Sequence, residues 1–166
     1  MAFDAYLNVE GIPGEATDSG HEKWITIKGF SHMVSMAMTE ERHDGGPGPG
    51  QRSDHGQFCI EKRLDSTTPT LSLYCCQGKS IGTVKVDLCR TIGGKPVTYM
   101  QYEMTDVFIT RVAPQGRFEQ GGSMPPEEVT FNYGKIVWKY THTDQKTGAK
   151  GKDVETNWNI ITNKQD

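Results

Sequence analysis

No stretch of 18 apolar residues occurs in the chain, and lysines and arginines nowhere gather into a block. The first absence removes a membrane-spanning helix. The second, with a net charge of −3, argues against nucleic acid as a partner, which would call for a basic face. The start, MAFDAYLNVEG, lacks the basic and apolar regions of a signal peptide, so synthesis and folding in the cytoplasm are expected. There is no CxxC pair among Cys59, Cys75, Cys76 and Cys89, which weakens zinc and thiol-redox readings. Adjacent Cys75 and Cys76 read as two small, partly buried thiols, since a vicinal disulfide is strained. GxSxG is missing as well, and Ser31 beside His32 makes neighbours rather than a triad. Glu40-Glu41 and Glu127-Glu128 are adjacent pairs. On strands their side chains point to opposite faces, so neither forms an acid–base dyad. No catalytic residue, cofactor or metal is expected.

What the sequence does have is glycine, 19 of 166 residues, eight prolines and abundant period-two alternation. In AYLNVE, Ala5, Leu7 and Val9 share a face. In TVKVDLCR, Val84, Val86 and Leu88 face in while Thr83, Lys85 and Asp87 face out. QFCIEKRL and VETNWNIIT alternate likewise, the latter with Val154, Trp158 and Ile160 on one face. EKWITIKGFSHMV and VTYMQYEMTDVFITRV each read as one long strand, the second with Met100, Tyr102, Met104, Phe108 and Val112 together. Gly93-Gly94 is a two-residue hairpin turn, and DQKTGAKGKD a polar loop between the last two strands. VTFNYGKIVWKYTH changes apolar parity at Gly134. A bulge or sharp coil at Gly134-Lys135 is therefore predicted, or else a switch between sheets. DSTTPTLSLYCCQGK alone has helical spacing. Cap candidates Ser66 to Thr68, an early Pro69 and a closing Gly78 bound a helix over about 67–77, its face made by Leu71, Tyr74 and Cys75.

Seven or eight strands and one short helix give a mainly β chain, a compact antiparallel β-barrel or sandwich. At this length one domain over residues 1–166 is expected. TEERHDGGPGPGQRSD interrupts it. The segment is not a phosphate loop, because no GK[ST] follows and its prolines remove amide donors. It reads as an extended loop over about 38–56. His43-Asp44 and Asp54-His55 flank it, and solvated polar flanks explain them better than a metal site.

The order of features resembles the haemolysin-coregulated protein (Hcp) family of type VI secretion systems. AFDAYLNVEGIPGEATDSGHEKWITIKGFSH carries one mark. FCIEKRLDSTTPTLSLYCCQGK carries a more specific one, FxxxKxxDxxTPxL, at Phe58, Lys62, Asp65, Thr68, Pro69 and Leu71. VTFNYGKIVWKY and the closing WNI look like the family's last strands, so the resemblance spans residue 2 to about 162. It implies a barrel of two sheets with one helix on its side. Six copies would form a ring, and rings would stack into a tube inside a contractile sheath, tipped by a VgrG-type spike. The tube would carry small effectors as a chaperone and leave the cell without a signal peptide. Lys28, Ser31 and His32 are then candidates for the channel wall. Glu40, Glu41, Arg42, Asp44, Arg52 and Asp54 are candidates for ring stacking. Polar strand faces would be solvent-exposed in one copy or would line a wet channel in several. The competing expectation is a monomeric β-barrel binding module for a small apolar ligand.

Overall fold

The computed structural model describes residues 4–39, 48–116, 123–144 and 146–166. The strands in chain order are β1 Asp4–Val9, β2 Ile25–Ser31, β3 Val34–Thr39, β4 Gly48–His55, β5 Phe58–Arg63, β6 Thr83–Ile92, β7 Lys95–Thr105, β8 Phe108–Pro114, β9 Pro126–Asn132, β10 Lys135–Thr143 and β11 Lys150–Asn159. The helix α1, Thr68–Gln77, follows β5. Nine strands form one antiparallel sheet in the order β11-β10-β7-β6-β1-β2-β5-β9-β8, and β3 with β4 forms a separate ribbon. The sheet is not closed by hydrogen bonds, but it curls on itself. Phe58 of β5 meets Tyr102 of β7 with ring centres 5.3 Å apart, although three strands stand between them in the sheet. Wholly buried Leu7, Ile25, Phe58, Ile60, Val84, Val86, Met104, Phe131 and Ile136 fill the interior. That leaves a packed core rather than a ligand cavity.

Among the described residues eleven strands replace the expected seven or eight, because three long runs are broken and β4 forms within the expected loop. Asp106, at a left-handed φ of 54°, separates β7 from β8. The break reverses the inward parity. Val107 and Ile109 are buried while Phe108 is exposed, contrary to its expected place beside Met104. EKWITIKGFSHMV divides at His32-Met33, where the ribbon leaves the sheet. VTFNYGKIVWKYTH divides at Tyr133-Gly134. There the chain crosses from one end of the sheet, where β9 pairs with β5 and β8, to the other, where β10 pairs with β7 and β11. The parity change is thus a short coil, one residue earlier than the expected Gly134-Lys135, and not a switch between sheets, since β9 and β10 belong to the same one. A Cβ at Gly134 would lie 3.0 Å from the Ile161 Cδ1 and 3.1 Å from the Asp106 Cβ, so a larger residue would crowd this corner. Gly93 and Gly94 both have positive φ, as a type I′ turn requires, and join β6 to β7.

The described residues of the expected loop over 38–56 are instead largely strand. β3 and β4 pair antiparallel from Val34↔His55 to Thr39↔Gly48, with an irregularity between Met36 and Met38. Alternation survives on the β3 side, where Val34, Met36 and Met38 recur at every second residue. The glycines and prolines of the other side hid the partner from a reading of composition.

The helix packs against β8. Leu71 is wholly buried, and Tyr74 and Cys75 rest against the core. Cys76, expected to be partly buried, is exposed. Gly78 ends the helix in the left-handed conformation, its N–H donating to the Cys75 carbonyl at 3.2 Å and the Lys79 N–H to the Tyr74 carbonyl at 3.1 Å. Thr67 stands at the N-cap but makes no capping bond to the helix. Its hydroxyl turns back to the Asp65 carboxylate at 2.5 Å.

Candidate functional site

β2 divides the three channel candidates. Ile25 and Ile27 face the core while Thr26 and Lys28 face out. A bulge between Ile27 and Gly29 then resets the alternation. Phe30 turns in against Phe58 and Tyr102, and Ser31 is left exposed. Ser31 lies opposite Cys59 on β5, whose sulfur accepts from the Thr130 hydroxyl at 3.7 Å. Burial pushes the Cys59 thiol up, which makes it a poor nucleophile. Lys28 borders a shallow cleft of about 310 Å³ with Glu15, Arg63 and Asp65. The outward face of β2, β5 and β9 is therefore polar, with charges of both signs.

His32 does not share that face. Its ring lies among Phe58, Tyr102, Tyr133 and Trp138. Its Nε2 meets the Tyr133 hydroxyl at 2.5 Å. Burial, with His55 nearby, lowers the His32 pKa from 6.5. His55 is also no solvated flank. It is half-buried, its ring 6.3 Å from Trp138 and 6.5 Å from Tyr133. Burial lowers its pKa too, against the pull of Asp54.

Of the stacking candidates, Glu40, Glu41, Arg42 and Asp44 lie outside the described residues, as does His43. Arg52 and Asp54 are on β4, both exposed. Arg52 donates to the Ile160 carbonyl at 2.5 Å, tying the ribbon to the end of β11 in its own chain. Between ribbon and sheet runs an open groove of about 490 Å³, lined by Val34, Met36, His55, Trp138 and Trp158.

Sequence reasoning missed two buried polar clusters. Asp87, expected to face solvent, is buried against His21 at 2.9 Å and accepts from Gln101 at 3.0 Å. Tyr6 stacks on the same imidazole, and burial and Asp18 push its phenol up to about 12. Cys89 lies 3.9 Å from His21, which suggests a nucleophile. The geometry refuses that role. Cys89 is fully buried, burial raises its pKa, and it meets the same nitrogen, Nε2, that Asp87 holds. An imidazole can relay a proton only between its two nitrogens. The cluster pins the 10–24 segment to β1 and β6.

The second cluster centres on Lys62. Its ammonium, wholly buried, donates to Asp65 Oδ1 at 2.9 Å, the Arg63 carbonyl at 3.0 Å and Thr68 Oγ1 at 3.2 Å. It pairs with the equally buried Glu127 at 3.1 Å. Burial alone would raise the Asp65 carboxyl, but hydrogen bonds from Thr67 and Lys62 outweigh it and hold it low. The spacing KxxDxxT was the legible signal. Glu127 sits far along the chain, and only the β5–β9 register, Lys62↔Glu127, brings it in. Among the described residues no group of three or more His, Cys, Asp or Glu could hold a metal ion.

Comparison with known proteins assigns the class. Residues 6–140 match the family described as "Type VI secretion system effector, Hcp". Protein hcp1 of Pseudomonas aeruginosa is 27% identical over 166 residues, covering 99% of each chain. A solved structure titled "Structure of a type six secretion system protein" superposes with a TM-score of 0.90 at 28% identity, over 99% of this chain and 100% of that one. A type VI secretion system effector from Yersinia pestis gives 0.72 at 27% identity, over 95% and 100%. The fold is that of a structural subunit of a secretion assembly. The chain belongs to the Hcp family, whose members are tube subunits of type VI secretion systems.

Proposed function

We propose that six copies of this chain close into a ring and that rings stack into a tube. A contractile sheath drives the tube, tipped by a VgrG-type spike, out of the bacterial cytoplasm into the extracellular space or a target cell. The observation that carries this reading is the end-to-end match, TM-score 0.90 over 99% of the chain, to a type VI secretion protein. A ring requires heterologous contacts, one patch meeting a different patch on the next copy. The large apolar side chains left exposed supply patches of that kind: Met33, Val34, Met36 and Met38 on the ribbon, Leu73 on the helix and Phe108 on β8. A stable contact of this sort buries roughly 1,200–2,000 Å².

Lys28 and Ser31 are the side chains assigned to the channel wall, where small effectors would be held and chaperoned. The ribbon with Asp54, and in sequence Glu40, Glu41, Arg42 and Asp44, are assigned to the contact between rings. Native mass spectrometry and negative-stain microscopy test the assembly. Six times the 18.5 kDa chain mass and annular particles are expected. A single-chain mass at micromolar concentration would overturn it in favour of a monomeric binding module.

A further inference from the structure

We propose that His32 and His55 form an acid-sensitive latch, which fixes the β3–β4 ribbon against the sheet at neutral pH and releases it when the rings charge. The device is internal to one chain and goes beyond the tube-subunit reading. Its basis is where the two histidines sit. His32 lies in the short link between β2 and β3, and His55 ends β4 just before the link to β5. Both exits of the ribbon thus carry an imidazole. They meet at Tyr133, whose hydroxyl donates to the Gly56 carbonyl at 3.3 Å and so accepts from Nε2–H of His32. The Gly56 N–H in turn donates to the Met33 carbonyl at 2.9 Å, closing the base of the ribbon.

This network suits neutral rings and punishes charged ones. The Nε2 of His55 meets the Ser53 hydroxyl at 3.1 Å, while its Nδ1 is buried with no hydrogen-bond partner among the described residues. A proton placed there would be a buried, unanswered N–H carrying charge, which is costly. A charge on His32 would sit among Phe58, Tyr102, Tyr133 and Trp138.

The titratable groups facing the pair are few. Tyr102 comes from β7, Tyr133 from the link after β9, and each histidine faces the other's charge. β5 and β10 offer only Phe58 and Trp138. Among the described residues the carboxylate acting on the pair is Asp54, which favours charging His55 but is outweighed by burial. Both folded values therefore lie below 6.5. For a base lowered on folding, the latched state is fully favoured above 6.5 and loses ground as pH falls from there toward the folded values. The Arg52 bond to Ile160 holds the ribbon at another point and acts as a pivot. Release at the His end would open the groove and expose Trp138 and Trp158.

Hydrogen exchange on the full chain, at about pH 7.5, 6 and 5 and corrected for intrinsic rates, tests the latch. Opening of the amides over 33–39 and 48–57 should rise by up to roughly tenfold per pH unit for each histidine that charges. Amides of β1, β6 and β7 should hold. H32Q/H55Q, which cannot titrate, should show a flat profile. A flat profile in the wild type, or equal acid opening in the double variant, overturns the proposal. Should the variant fold poorly, NMR titration of the wild-type rings decides. Both must titrate below the ordinary histidine value, and titration at or above it overturns the latch.

Discussion

Lys62 shows how much one residue can hold in this fold. Its buried ammonium answers Glu127, Asp65 and Thr68 together, so strand β5, strand β9 and the start of the helix meet on one charge. The FxxxKxxDxxTPxL pattern thereby acquires a physical content: Phe58 and Leu71 are core, and the polar members between them are partners of one another. Burying an ion pair is weak evidence for stability, but breaking one is expensive, since the survivor is left charged and dry. Lys62→Met should therefore cost about 3–5 kcal/mol in urea unfolding, because Glu127 loses its counter-ion. The double variant Lys62→Met, Glu127→Leu should recover most of that loss. If the double variant is no better than the single one, shape rather than charge holds this node.

At the level of elements, the helix buries one side chain completely. Leu71 is its only buried residue, and Leu71→Ala should lower stability by about 2–5 kcal/mol, seen as a drop in melting temperature. An unchanged melting temperature would mean that Tyr74, Cys75 and the Lys62 node hold the helix without it. This helix was legible because Pro69 and Gly78 mark its ends and nothing else in the chain has its spacing. Strands were legible wherever one face is core, as in β1, β5 and β6, since alternation is a direct record of burial. Breaks within long runs were not. Asp106 is a non-glycine residue at positive φ, and local sequence gives little notice of it. His32-Met33 breaks a β-rich run for a tertiary reason, the departure of the ribbon. Composition misled over 48–55, where a strand made of glycine, proline and polar residues lacks an apolar face to announce itself. Val154 failed differently. It pairs with Tyr140 beyond the end of the core, so alternation continues there without burial. Of the three channel candidates, Lys28 and Ser31 stand on the exposed face. His32 lies past the bulge and turns inward, a consequence of register that spacing alone does not carry.

At the scale of the whole molecule, a tube subunit must keep two surfaces independent: the one that closes the ring and the one that touches cargo. Ser31 is the position where that independence can be measured. It is exposed on β2 and stands beside the half-buried Cys59 on a polar face of mixed charge. Side chains that point to solvent from a strand can grow without disturbing the packed layer beneath, so surface changes of this sort usually alter stability by no more than about 0.5 kcal/mol. Ser31→Trp should then leave melting temperature and native mass unchanged while filling space on the channel wall. Co-purification of a small effector with the ring should fall, and circular micrographs should look like those of the parent chain. Loss of the rings would place Ser31 in a subunit contact, and unchanged effector retention with intact rings would remove this face of β2 from the channel.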